Sequence, residues 1–163
     1  MRWAVPLSLA LTAACAPAAP AAAGPDPGFH IRLERGMCFG SCPAYSVDVD
    51  AAGHVLFVGG KSAVEPSVPC QGERRWTIGT AAVARLQALV DSSGYFGFRD
   101  SYAGRITDMP TFTVTVTRRG RTKAVRDYVG LAVGMPRAMV ELENAIDEAA
   151  GTRDCVVGAA RAP

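Results

Sequence analysis

Histidine is scarce in this 163-residue chain: His30 and His54 are the only two, and they show no paired ligand spacing. A zinc or copper centre would have to recruit the cysteines, and a Ser-His or Cys-His nucleophile has almost nothing to draw on. Signature motifs are missing too. There is no Gly-x-Ser-x-Gly nucleophile elbow, no His-Glu-x-x-His helix and no phosphate-cradling glycine loop. Neither sign of charge dominates, since 17 Lys plus Arg face 15 Asp plus Glu, which speaks against wholesale binding of nucleic acid. No repeat is evident. The apolar run "WAVPLSLALTAACA" near the start is too short to span a bilayer as a permanent helix.

That run follows Met1 and Arg2 and has the form of a secretory signal core, so residues 1–14 are read as a signal segment. Its end, "LTAAC", resembles the lipobox of bacterial lipoproteins, with Ala13 and Ala14 before Cys15. The resemblance implies lipidation of Cys15 and a membrane anchor. Ala16 follows where many inner-membrane lipoproteins carry Asp, so it also implies the outer membrane. The competing reading cuts an Ala-x-Ala site at Ala21 to Ala23 and frees a soluble periplasmic or secreted product. Residues 15–28 are Pro/Ala-rich with one charge and read as a tether. Residues 29–155 have the composition of one globular domain with one modest core, and residues 156–163 read as a flexible tail.

Without Cys15 the mature chain keeps Cys38, Cys42, Cys70 and Cys155, an even number in an exported protein and therefore a disulfide framework. Four cysteines allow three pairings. The expected one joins Cys38 to Cys42 within a single loop and Cys70 to Cys155 across the domain margins. In the chain-entropy account the long bridge contributes about 4.6 kcal/mol and the short one about 2. "CFGSCP" has three residues between its cysteines and Pro43 after them, unlike the two-residue spacing of thioredoxin-type and c-type haem sites. A structural bridge is expected there; a metal clip and a redox thiol are the alternatives.

Alternation predicts most of the sheet. Phe29, Ile31 and Leu33 alternate with polar residues, as do Tyr45, Val47 and Val49, and "DAAG" then turns the chain into "HVLFVG". A loop over residues 61–75 leads to a short strand near "RRWTI", with Trp76 read as core. Thr80 is the expected cap of a helix carrying Val83, Leu86 and Val90 on one face and stopping at Gly94. Phe112, Val114 and Val116 alternate with threonines, and "RRGR" turns into a partner strand ending at Tyr128. A last helix begins near Pro136, carries Met139, Leu142, Ile146 and Ala149 as a stripe, and ends at Gly151. The expected fold is therefore α+β: two layers, a mainly antiparallel sheet of sequential hairpins and two helices packed on one face.

"CFGSCPAYSV", "GYFGFRDSY", "TDMPTFTVTV", "GRTKAV", "DYVG" and "LENAIDEAAGT" together resemble a bacterial domain-of-unknown-function family, number 6438, over Phe29 to Arg153. The resemblance implies a small exported domain and brings no activity with it.

Two surfaces attract functional readings. "FRDSYAGRITDMPT" is the least periodic and most polar stretch and gathers Asp100, Tyr102, Arg105, Thr107, Asp108 and Thr111. Asp100, Tyr102, Thr107 and Asp108, with Tyr128, are the candidate binding residues, since loops on a rigid scaffold often carry binding groups. The bland reading is that both aspartates serve local turns. Arg118, Arg119, Arg121, Lys123 and Arg126 crowd the second hairpin, either as a patch for anionic headgroups or as a solvated turn. No complete catalytic set is legible, and no cofactor or metal is expected. The sequence reads as a non-enzymatic cell-envelope module for a protein or cell-wall partner. The alternatives are a polymer hydrolase using Asp100 and Asp108 as paired carboxylates, a thiol protein using Cys38 and Cys42, and a plain structural spacer.

Overall fold

A computed structural model describes Met1, residues 25–60 and residues 68–158. Cys15, with nearly all of the expected signal and tether, lies outside these residues.

The fold is α+β, a mixed seven-stranded sheet with two main helices. The strands are β1 (His30–Arg35), β2 (Tyr45–Asp50), β3 (His54–Gly59), β4 (Gly72–Thr77), β5 (Ser101–Ala103), β6 (Phe112–Arg118) and β7 (Arg121–Tyr128). They lie in the order β4-β3-β2-β1-β6-β7-β5. Helix α1 (Thr80–Ser92) precedes β5, α2 (Arg137–Ala150) follows β7, and a short α3 (Arg153–Val157) carries the chain two residues beyond the expected domain end at Cys155. All pairings are antiparallel except β5 with β7, which is parallel. Only three residues long and lying in the stretch read as a loop, β5 is too short to show a period of its own.

The core follows from register. Ile31 stands opposite Val49 and Val116, and Val49 opposite Val55. In the next row Leu33 stands opposite Val47 and Val114, Val47 opposite Phe57, and Val114 opposite Val125. These side chains are buried in one cluster with Val83, Leu86 and Val90 of α1 and Met139, Leu142 and Ile146 of α2. Trp76 packs beside Phe57 and donates from its indole to the Ala150 carbonyl at 2.7 Å, which ties β4 to the end of α2.

Local signals mostly act as expected. Asp50 accepts from the N–H groups of Ala52 and His54, closing the β2–β3 turn. Thr80, however, is the first residue of α1 rather than its cap. Gly79 occupies the cap position, and no side chain caps this end. Asp26, in the expected tether, is already bound to the domain. Its carboxylate accepts the Arg119 N–H at 2.6 Å, and its own N–H donates to Gln87 at 3.1 Å.

The basic hairpin is not a row of solvated charges. Arg118 is 3% exposed and makes a two-point pair with Asp91, Nε to Oδ1 at 3.2 Å and a terminal nitrogen to Oδ2 at 2.8 Å. It also donates to Gln87 at 2.6 Å. The Arg118 guanidinium holds the Asp91 carboxyl below its usual range. Lys123 pairs with Asp100, Arg121 lies over the Phe96 ring and Arg126 over the Tyr128 ring. Arg118→Met is expected to lower stability by about 2 kcal/mol in urea unfolding, modest for a buried pair because Asp91 keeps a third of its exposure. An unchanged midpoint would return this hairpin to the solvated reading.

Candidate binding site

One step beyond Leu33, the same inward face of the sheet turns polar. Arg35 stands opposite Tyr45 on one side and Phe112 on the other, and Phe112 stands opposite Asp127. Helix α2 sets Glu143 and Asp147 against this row, four residues apart and so one above the other on one helix face.

Asp147 is fully engaged. It takes Arg35 Nε at 2.9 Å, the Tyr45 hydroxyl at 2.8 Å and the Thr152 hydroxyl at 2.8 Å. Arg35 in turn lies 4.6 Å over the Phe112 ring. Burial, reinforced by the Asp147 charge, raises the Tyr45 phenol well above its usual range, so it remains a donor.

Glu143 is different. It is 2% exposed, and its Oε1 is the one buried side-chain oxygen or nitrogen among the described residues with no hydrogen-bond partner. Its carboxyl is pushed up to about 7. Burial is the main cause; the negative charge of Asp127 adds to it, Arg35 opposes, and Asp147 adds further.

Glu143 forms part of the wall of a hollow of about 370 Å³ whose other walls are mostly apolar: Met109, Pro110, Phe112, Val129, Leu131, Ala132 and Val140. Asp127 also lines it and accepts the Gly130 N–H at 2.6 Å. Gly130 has no room for a side chain, because a Cβ would come within 2.7 Å of Asp127 Oδ1. Val129 is held at φ 56°, a strained conformation for a β-branched residue.

Three connections leave the sheet at this end. The bridged loop after β1 meets the loop before β6 through Gly36 N–H to Thr111 O at 2.7 Å and Phe39 N–H to Asp108 O at 3.2 Å. Gly36 permits the approach, since a Cβ there would lie 2.9 Å from the Thr111 carbonyl. The Tyr128 hydroxyl donates to the Ile106 carbonyl at 2.6 Å. The short 3-10 turn Gly130–Val133 supplies the third side.

The residues singled out from sequence divide accordingly. Thr107 and Asp108 are exposed, bonded to each other at 2.9 Å and placed beside the bridged loop. Tyr102 is 4% exposed, lies under Arg99 and accepts the Arg99 N–H. Tyr128 anchors the loop. Asp100 pairs with Lys123 through its carboxylate, and its carbonyl accepts the Arg126 N–H at 2.9 Å. Asp100 and Asp108 thus have separate partners, Lys123 and Thr107. Cys38 is bridged to Cys42 and Cys70 to Cys155, with Cα separations of 5.7 and 4.7 Å.

A wider hollow of about 530 Å³ lies over β1 to β4 and is lined by His30, Arg32, Asp48, Asp50, His54 and Arg75 among others. Most of its charges already satisfy one another: His30 and Arg32 meet Asp48, and His54 meets Asp50. Nothing there is left without a partner in the way Glu143 is. Among the described residues, no group of three or more His, Cys, Asp or Glu is placed to hold a metal ion.

No curated protein sequence matches the chain. The frame that builds this site, from β1 to the end of α2, lies within residues 29–150, and over those residues the chain matches the family model of a domain of unknown function, DUF6438, to which it belongs.

Proposed function

We propose that this domain is a non-enzymatic binding or interaction module of the cell envelope, exported, held at the outer membrane by lipid on Cys15, and directed at an envelope protein or cell-wall component. In this reading the two helices cover the apolar face of the sheet, and the partner meets the end where the three connections gather. The carrying observation is the distribution of exposed apolar side chains. Of seven large ones among the described residues, five (Met37, Phe39, Ile106, Met109 and Leu131) are on those connections. Solvent-exposed apolar side chains gathered at one end of a small domain are the usual mark of an interaction site. Thr107 and Asp108 supply a polar rim, as interfaces commonly have.

The hydrolase reading, transferred to Asp127 and Glu143, has less support, because Asp127 is committed to the Gly130 N–H. A bridge between Cys38 and Cys42 that resists glutathione would count against thiol cycling.

The test has two parts. Intact mass of protein from native membranes should show a lipid gain at Cys15, and a soluble product cut after Ala23 would remove the anchor from the proposal. Mature domain should then enrich one envelope protein or bind purified cell-wall fragments. Phe39→Ser with Met109→Ser should weaken that at least tenfold with little change in melting temperature, since both side chains are exposed. Equal capture by wild type and double variant would overturn the reading.

A further inference from the structure

We propose that the hollow over Glu143 receives a basic side chain of the partner, a lysine or arginine entering on its aliphatic stem with the cationic head toward Glu143 and Asp127. This rests on the interaction-module reading and names the chemistry of its central contact. The walls suit a stem: Met109, Pro110, Val129, Leu131, Ala132 and Val140 present carbon and no charge. The end of the hollow suits a cation. Three carboxylates, Asp127 from β7 and Glu143 and Asp147 from α2, face one guanidinium, Arg35 from β1, while Tyr45 from β2 is engaged with Asp147. The excess is negative, and one carboxyl oxygen, Glu143 Oε1, has no partner.

Glu143 keeps its proton up to a pH of about 7, because burial and the neighbouring Asp127 and Asp147 charges outweigh Arg35. An ammonium supplies the missing compensation, and the Glu143 proton leaves to solvent as the cation enters. Binding therefore strengthens as pH rises through about 7. A protein side chain is favoured over a free amine because the exposed apolar residues around the hollow offer a partner further contact.

The probe is n-hexylammonium, followed through backbone amide resonances of Gly130, Leu131 and Val140 in the intact mature domain, with 1-hexanol and hexanoate as controls. Hexylammonium should shift these amides saturably and bind about tenfold more tightly at pH 8 than at pH 6, as expected for a carboxyl titrating near 7. Hexanol should bind more weakly than hexylammonium does at pH 8, with no pH dependence, and hexanoate more weakly still. Glu143→Gln should fold and lose both the pH dependence and the preference for ammonium. Ala132→Trp, at an exposed position on the wall, should block the probe without entering the core. Hexanol or hexanoate binding as well as hexylammonium, pH-independent binding, an unaffected Ala132→Trp protein, or no shift at these amides would each overturn the inference. If that happens while the Phe39 and Met109 double variant still loses its partner, the interaction-module reading stands alone. If the probe binds as stated and the double variant captures normally, the hollow is a cation site and the apolar end is not the interface.

Discussion

Replacing Cys70 and Cys155 together by serine should lower stability by about 4.6 kcal/mol, against about 2 for the Cys38 and Cys42 pair, the chain-entropy values for loops of 85 and 4 residues. The location of the long bridge strengthens the expectation. Cys155 lies on α3, a helix of five residues with no buried side chain, and Cys70 lies two residues before the edge strand β4. Beyond the covalent link, the Cys70 N–H donates to the Cys155 carbonyl at 3.2 Å, and Cys155 and Val156 pack, partly buried, against the core. A domain of this size commonly has only about 5–15 kcal/mol in total, so the double-serine protein should be marginal at 37 °C. Urea unfolding of the two double-serine proteins, compared with the bridged parent, is the measurement. A loss in the Cys38 and Cys42 variant equal to or larger than that in the other would mean that strain or local packing, rather than loop closure, governs these bridges.

Much of the fold was legible because apolar residues alternate cleanly. Ile31 and Leu33, Val47 and Val49, Val114 and Val116 are buried on their strands, and Met139, Leu142 and Ile146 are buried on α2. The candidate site was harder to read because its members occupy core positions with polar side chains. Arg35 is the next step after Ile31 and Leu33, and Asp127 after Val125; outside the site, Arg118 follows Val114 and Val116 in the same way. Glu143 is four residues after Met139 and one after Leu142, inside the apolar stripe of its helix. A period applied to apolar residues alone stops where the period itself continues. Alternation followed through the charged positions would have put Arg118 inside, and the helical period followed the same way would have drawn attention to Glu143. The β5 pairing offered no such signal. Parallel to β7 and three residues long, it depends on tertiary contacts, including the Arg126 N–H to the Asp100 carbonyl at 2.9 Å.

Stability of the ligand-free domain should fall by roughly 3 kcal/mol as pH rises from about 4.5 to about 7, through Glu143 alone. Its carboxyl titrates near 4.5 in the unfolded chain and near 7 in the folded one. Between those values the folded protein retains a proton that the unfolded chain has released. The contribution is therefore complete below the unfolded value and lost by the time pH reaches the folded one. Asp91 works in the opposite direction, since Arg118 holds its carboxyl low and that contribution is lost on acidification through the region below the usual carboxylate value. The two windows lie on opposite sides of the ordinary carboxylate range, so urea midpoints from pH 5 to pH 8 isolate Glu143. Glu143→Gln should remove most of the slope and leave the variant more stable than the parent at pH 8, because an amide of the same shape cannot ionise. The gain depends on how well the amide is hydrogen-bonded, since Oε1 has no partner in the parent. A parent whose midpoint is flat from pH 5 to pH 8 would mean that Glu143 already has its compensating partner, and the case for a cation in this hollow would go with it.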